Sequence, residues 1–231
     1  HAHAITDPDC PANAGYRKNF FGWKKTGAKL GSREWFIPGY AKQNWDHLPW
    51  IQTEVFAENV KFWKQNGVNW INIEAHFEDK KTGGYPIRWP LYYVASEMMW
   101  DVDQDPDVVL ADACGKLFGP EAGPIMARYY QTLVRAMQTS EKHGSHWNLP
   151  PAESVFRPEI VRSIRALLDQ ALAEAPEGTV EYNRVAKENE VWQRAEKELD
   201  DLPDKPRNLV DADRTTVISC SPIETRLKAN T

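Results

Sequence analysis

The sequence predicts an α/β section up to about residue 100, followed by an all-α section to about residue 203 and a short tail over 204–231. Three observations carry this expectation. Strand-like runs alternate with helical periodicity before Trp100, only helical periodicity follows it, and Gly and Pro pairs punctuate the changeovers. At 231 residues, 42% hydrophobic and 26% charged, the chain has the composition of an ordinary globular protein. That balance excludes disorder, collagen-like repeats and a small disulfide-stapled fold.

The elements follow in order. Ala2 to Ile5 has the texture of a short strand. A helix opening at Pro11 carries Tyr16, Phe20 and Trp23 at spacings of four and three and closes near Gly27. Trp35-Phe36-Ile37 reads as a strand that Pro38-Gly39 ends, leading to Tyr40 and the loop Gln43-Asn44-Trp45-Asp46-His47. The stretch 53–66 is a helix with Val55, Phe56, Val60, Phe62 and Trp63 on its buried side and Gly67 as its stop.

Residues 68–74 are the most informative. Side chains of a strand alternate between faces, so Asn69, Ile71 and Ile73 share one side and Val68, Trp70, Asn72 and Glu74 the other. An aliphatic face opposite one bearing Trp, Asn and Glu suits a parallel barrel, with the aliphatic face against helices and the polar-aromatic face turned inward. Glu74 falls at the C-terminal end of the strand, where barrel enzymes keep their chemistry. A loop through Gly83-Gly84 and a helix over 90–100 complete this unit.

Beyond Trp100 the patterns are helical. Asp105-Pro106 is an N-cap followed by Pro at the first helical position, and Gly119-Pro120 is expected to terminate that helix. Ile125, Met126, Tyr129, Tyr130, Leu133, Val134 and Met137 form an apolar stripe. Pro158 opens a helix with Val161, Ile164, Leu168 and Leu172 on one face, and a charged helix over 180–202 has a thinner seam through Val185, Trp192, Ala195 and Leu199. An eight-fold barrel takes about 250 residues and eight strands. The expected fold is therefore the C-terminal portion of a TIM (β/α)8 barrel, over 1–100, followed by an all-α helical domain over 101–203. The remainder of the barrel is expected to precede His1 and to be this chain's partner.

Charge and composition narrow the function. The sum of 28 basic and 33 acidic side chains is −5, with no run of Lys or Arg, so the footprint of a nucleic-acid binder is missing. No segment is apolar enough for a membrane span. Cys10, Cys114 and Cys220 lie about a hundred residues apart and form neither a disulfide framework nor a zinc knuckle. Ten Trp, 8 Tyr and 8 Phe supply flat apolar platforms of the kind on which sugar rings stack.

The motif series resembles a known family. His1-Ala2-His3, Asp9-Cys10-Pro11-Ala12-Asn13, Trp23, Trp35-Phe36-Ile37-Pro38-Gly39-Tyr40, Asn66-Gly67-Val68 with Glu74, Met98-Met99-Trp100-Asp101-Val102-Asp103 and Leu117-Phe118-Gly119-Pro120 follow one another as in glycoside hydrolase family 163, the former domain of unknown function 4838. The resemblance spans roughly residues 1–200. It implies a secreted, periplasmic or cell-surface glycosidase, with relatives acting as endo-β-N-acetylglucosaminidases on N-glycans. Its implied mechanism is substrate-assisted and retaining: the 2-acetamido oxygen is the nucleophile, one carboxyl orients and stabilises it, and another protonates the leaving oxygen. No cofactor is implied. The sequence departs from the family near Tyr40, where no acid follows the strand, and after Glu74. The acid pair of such barrels sits on middle strands, so a second carboxyl is expected before His1.

Glu74 is the expected catalytic residue, sharing a strand face with Trp70 and Asn72. His3, Trp35, Tyr40, Trp45, Asp46, Trp70, Asn72, His76 and Trp89 are expected around the substrate, although for His3, Asp46, His47 and His76 alike a satisfied loop hydrogen bond is the simpler reading. Trp23, Trp63, Trp100 and Trp192 lie on helices and are expected in the core. His1-Ala2-His3 has the spacing of a ligand pair, but no further His and Asp ligands follow at comparable positions, and the helices exclude the β-sandwich of copper monooxygenases. No metal is therefore assigned. Two other readings are a glycosidase for uronic-acid polymers, for which Arg88 is the nearby cation, and a non-catalytic glycan-binding or interaction module.

Overall fold

The structure, a computed structural model, describes residues 3–35, 45, 47–74, 88–140 and 149–202. It is mostly helical, with one small sheet among the described residues. The order is α1 (Pro11–Lys24), β1 (Gly31–Trp35), α2 (Thr53–Gln65), β2 (Trp70–Glu74), α3 (Trp89–Trp100), α4 (Pro106–Gln138), α5 (Ala152–Val155), α6 (Pro158–Glu174) and α7 (Val180–Asp200). These residues do not make a closed barrel. β1 and β2 form a single parallel pair joined through α2, the β-α-β connection that parallel strands require.

The segment expected as a strand at 2–5 is irregular over its described residues, for a local reason. The Asn13 side-chain amide donates to the carbonyls of His3 (3.0 Å) and Ala4 (2.5 Å), and the Ile5 amide donates to Asn59 Oδ1 (2.7 Å). Side chains of α1 and α2 thus satisfy backbone groups that a strand partner would otherwise take. The strand expected at 35–37 lies earlier, at 31–35, and residues 36 and 37 lie outside the described residues.

Four helices show in their sequence why they begin or end where they do. α1 begins with Pro11 at its first position, and α2 stops at Asn66, with Gly67 taking the left-handed conformation (φ 75°) that side chains disfavour. The Asp105 carboxylate accepts the Asp107 amide at 2.9 Å and caps α4. Thr179 does the same for α7, its hydroxyl accepting the Tyr182 amide at 3.1 Å. Within α4, Gly119 (φ 79°, ψ 177°) breaks the helical geometry, and Pro120 starts the second run. Gly123 then lies against the Gly115 backbone, where a β-carbon would stand 2.8 Å from Gly115 Cα.

One hydrophobic core runs through the molecule from Ile5 to Leu199. α4 is its spine: α6, α7, α3 and α2 pack on it, α2 and α3 pack on each other, and Ile71 and Ile73 of β2 lie against the same core. The continuity passes directly across residue 100, where the sequence divides α/β from all-α patterning. Between α6 and α7, Arg165 grips Glu196 through Nε (3.0 Å) and a second guanidinium nitrogen. Trp63 and Trp192 are buried as expected, whereas Trp23 is 65% and Trp100 91% exposed. Both occupy the final turn of their helices.

Candidate functional site

The register of the sheet determines which side chains meet. Trp35 stands opposite Glu74, Glu34 opposite Ile73, Arg33 opposite Asn72, Ser32 opposite Ile71 and Gly31 opposite Trp70. Because the pleat alternates, Ser32, Glu34, Ile71 and Ile73 share one face. Ile71 and Ile73 pack against the core there, and Ser32 is buried. The opposite, open face carries Gly31, Arg33 and Trp35 from β1 beside Trp70, Asn72 and Glu74 from β2. The alternation read from β2 alone is the one the structure contains.

On the open face Arg33 forms an ion pair with the Glu74 carboxylate. Its guanidinium also lies over the Trp35 ring, 5.5 Å from the centroid. Trp70 is 58% exposed, and its benzo ring covers Gly31 so closely that a β-carbon at residue 31 would overlap it. An indole laid against a glycine with its other side open is a flat apolar platform. Asn72 adds an amide that both donates and accepts.

On the covered face, burial pushes the Glu34 carboxyl up to about 7. The nearby Tyr16 hydroxyl is raised by burial against hydrogen bonds to Trp63 and Ser32, and Trp63 Nε1 donates to it at 3.1 Å. Glu34 and Glu74 project to opposite sides of the sheet, so they do not form a carboxyl pair. Among the described residues of the two strands, Glu74 is the one carboxylate on the open face.

The sequence-predicted site residues therefore divide. Trp35, Trp70, Asn72 and Glu74 are brought together. Trp45 and Trp89 are corrections: they are 4% and 7% exposed and offer no open face to a sugar. Trp45 packs edge-on to Trp50 and donates from Nε1 to the Pro150 carbonyl at 3.1 Å. Trp89 packs edge-on to Tyr130 and donates to its hydroxyl at 2.9 Å. Arg88, the cation considered for a uronic acid, is fully buried. Tyr40, Asp46 and His76 lie outside the described residues.

His3 is elsewhere. It stands 3.7 Å from Asp7 in a cavity of about 240 Å³ that Glu54, Glu58 and Gln138 also line, and no residue of β1 or β2 borders it. The His47 amide donates to Glu198 Oε2 at 2.6 Å, a structural hydrogen bond. Among the described residues no group of His, Cys, Asp and Glu could hold a metal ion, and no helix is long and apolar enough to cross a membrane. Cys10 and Cys114 are buried free thiols.

Sequence reasoning missed Arg33 and Glu34. The available signal was their position just before Trp35, in a run whose alternation becomes visible once β1 is placed against β2.

These features define a mostly helical protein carrying a small parallel sheet whose open face is aromatic and charged. The chain belongs to the family described as a domain of unknown function, DUF4838, whose model matches residues 3–131. No curated protein and no solved structure matches the chain.

Proposed function

We propose that this chain forms part of a glycoside hydrolase of the family 163 kind, acting on β-linked N-acetylglucosamine-containing glycans by a substrate-assisted retaining mechanism. The observation that carries the reading is the open face of β1 and β2, where Glu74 ends a parallel strand beside Arg33, Trp35, Trp70 and Asn72. Trp70 is the platform for the apolar side of a sugar ring, and Asn72 is the hydrogen-bonding group at its edge. Glu74, drawn as the anion of an ion pair, suits the carboxylate that orients the acetamide and stabilises the positive charge of the intermediate. The proton for the leaving oxygen then comes from a second carboxyl outside β1 and β2.

The test is product analysis with the intact protein that carries this chain. Incubation with an N-glycan should release oligosaccharides ending in N-acetylglucosamine, and Glu74→Gln should lower turnover by about tenfold or more. Glycan binding without turnover would favour a non-catalytic module instead.

One observation favours a second reading, a glycosidase for uronic-acid polymers. Arg33 places a guanidinium on the open face, the cation that a sugar carboxylate needs. Release of uronic acid rather than hexosamine would select it.

A further inference from the structure

Arg33 is engaged twice: its guanidinium lies over the ring of Trp35, its neighbour two residues along the same face, and reaches diagonally across the strand pair to Glu74. The pair is not a device for stability. Arg33 is largely exposed, and exposed ion pairs contribute little to folding because water and salt screen them while two side chains lose freedom. What the arrangement does achieve is local. Stacking on Trp35 removes rotamers from a long side chain, so the guanidinium presents a fixed direction to the carboxylate. Arg33 and Glu74 are the charged groups of β1 and β2 on this face, while Glu34, the remaining one, lies on the covered face.

We propose that Arg33 is a positioning residue for Glu74, fixing where its carboxylate sits and keeping it an anion during turnover. This rests on the reading of Glu74 given above and adds to it a division of labour. A carboxylate clamped by a guanidinium stabilises a positive centre and does not deliver the proton to the leaving oxygen. Trp35 then acts through Arg33, and Trp70 is the aromatic left to stack on substrate.

The test uses the intact protein and an N-glycan substrate, with Arg33→Met, Arg33→Lys and Glu74→Gln. Arg33→Met should lower kcat by about tenfold with little change in KM. Its acid limb should move up, because losing the cation makes the Glu74 anion harder to form. Arg33→Lys keeps the cation but not the stacked, directed guanidinium, so it should return the limb towards its starting position while recovering only part of the rate, and both variants should keep the parent Tm. An unmoved acid limb, or a loss of rate that follows Tm, overturns the positioning role while leaving Glu74 in place. Unchanged turnover in Glu74→Gln overturns the reading of Glu74 and this inference together.

Discussion

Trp70 lies across Gly31, its benzo ring filling the space that a side chain at residue 31 would need. The two residues face each other in the parallel register, so the glycine is what lets the indole lie down on the sheet. A larger residue would make the ring stand away from the strands. The platform is therefore built by two positions.

Gly31→Ala should displace the ring without unfolding the protein, since the clash is with the end of an exposed side chain. Glycan affinity is expected to fall several-fold, about as far as in Trp70→Ala, with Tm within a few degrees of the parent. Calorimetric titration with an N-glycan and a thermal scan measure the two effects. Equal affinity in all three proteins would remove Trp70 from the binding surface.

Trp45 and Trp89 should behave in the opposite way. Both are buried with their indole N–H groups hydrogen-bonded, so Trp45→Ala is expected to cost about 3–5 kcal/mol of stability through the cavity and the unpaired Pro150 carbonyl. Denaturant unfolding checks this. A stability change near zero with a loss of glycan binding would make Trp45 a platform after all.

Glu188 gives the helical part a pH-dependent stability. Burial dominates its surroundings and pushes its carboxyl up to about 7 from an ordinary value of 4.5, against hydrogen bonds from Tyr130 and Trp89. The fold thus holds the proton more tightly than the unfolded chain does. Its stabilising contribution is fully present below pH 4.5 and is lost as pH rises through about 7, with Glu34 acting in the same direction. Glu188→Gln keeps the shape and removes the charge, so at pH 8 it should gain on the order of 1–3 kcal/mol over the parent and at pH 5 little or nothing. Urea midpoints at the two pH values give the answer, and a gain equal at both would contradict it.

Trp100, 91% exposed at the end of α3, should be replaceable. Trp100→Ser is expected to leave stability within about 0.5 kcal/mol, as surface changes away from special features do. A large loss in a chemical denaturation series would mean that its ring is covered in solution.

The helices were legible because their signals are local. Asp105-Pro106 and Gly67 mark ends that the structure keeps, and the stripe from Ile125 to Met137 is the buried side of α4. β2 was legible for the same reason, since the alternation from Trp70 to Glu74 needs no partner to be seen. β1 was not. Gly31-Ser32-Arg33-Glu34 has no apolar alternation, and it becomes a strand by pairing with β2 and by being covered on the Ser32 side. Arg33 could not be recognised as part of the site until that register placed it across from Asn72 and next to Glu74. Tryptophan exposure was equally hidden, because Trp23 and Trp63 are alike in helical periodicity and differ only in what the fold puts beside them. The TIM barrel expected from the Glu74 strand is not formed by the described residues, which contain one parallel pair.

The most direct test of the open-face account is the turnover of an N-acetylglucosamine-containing glycan by the intact protein and by its Glu74→Gln form, at matched Tm. The account predicts a fall in kcat of about tenfold or more with folding unchanged; identical kcat in the two proteins would contradict it.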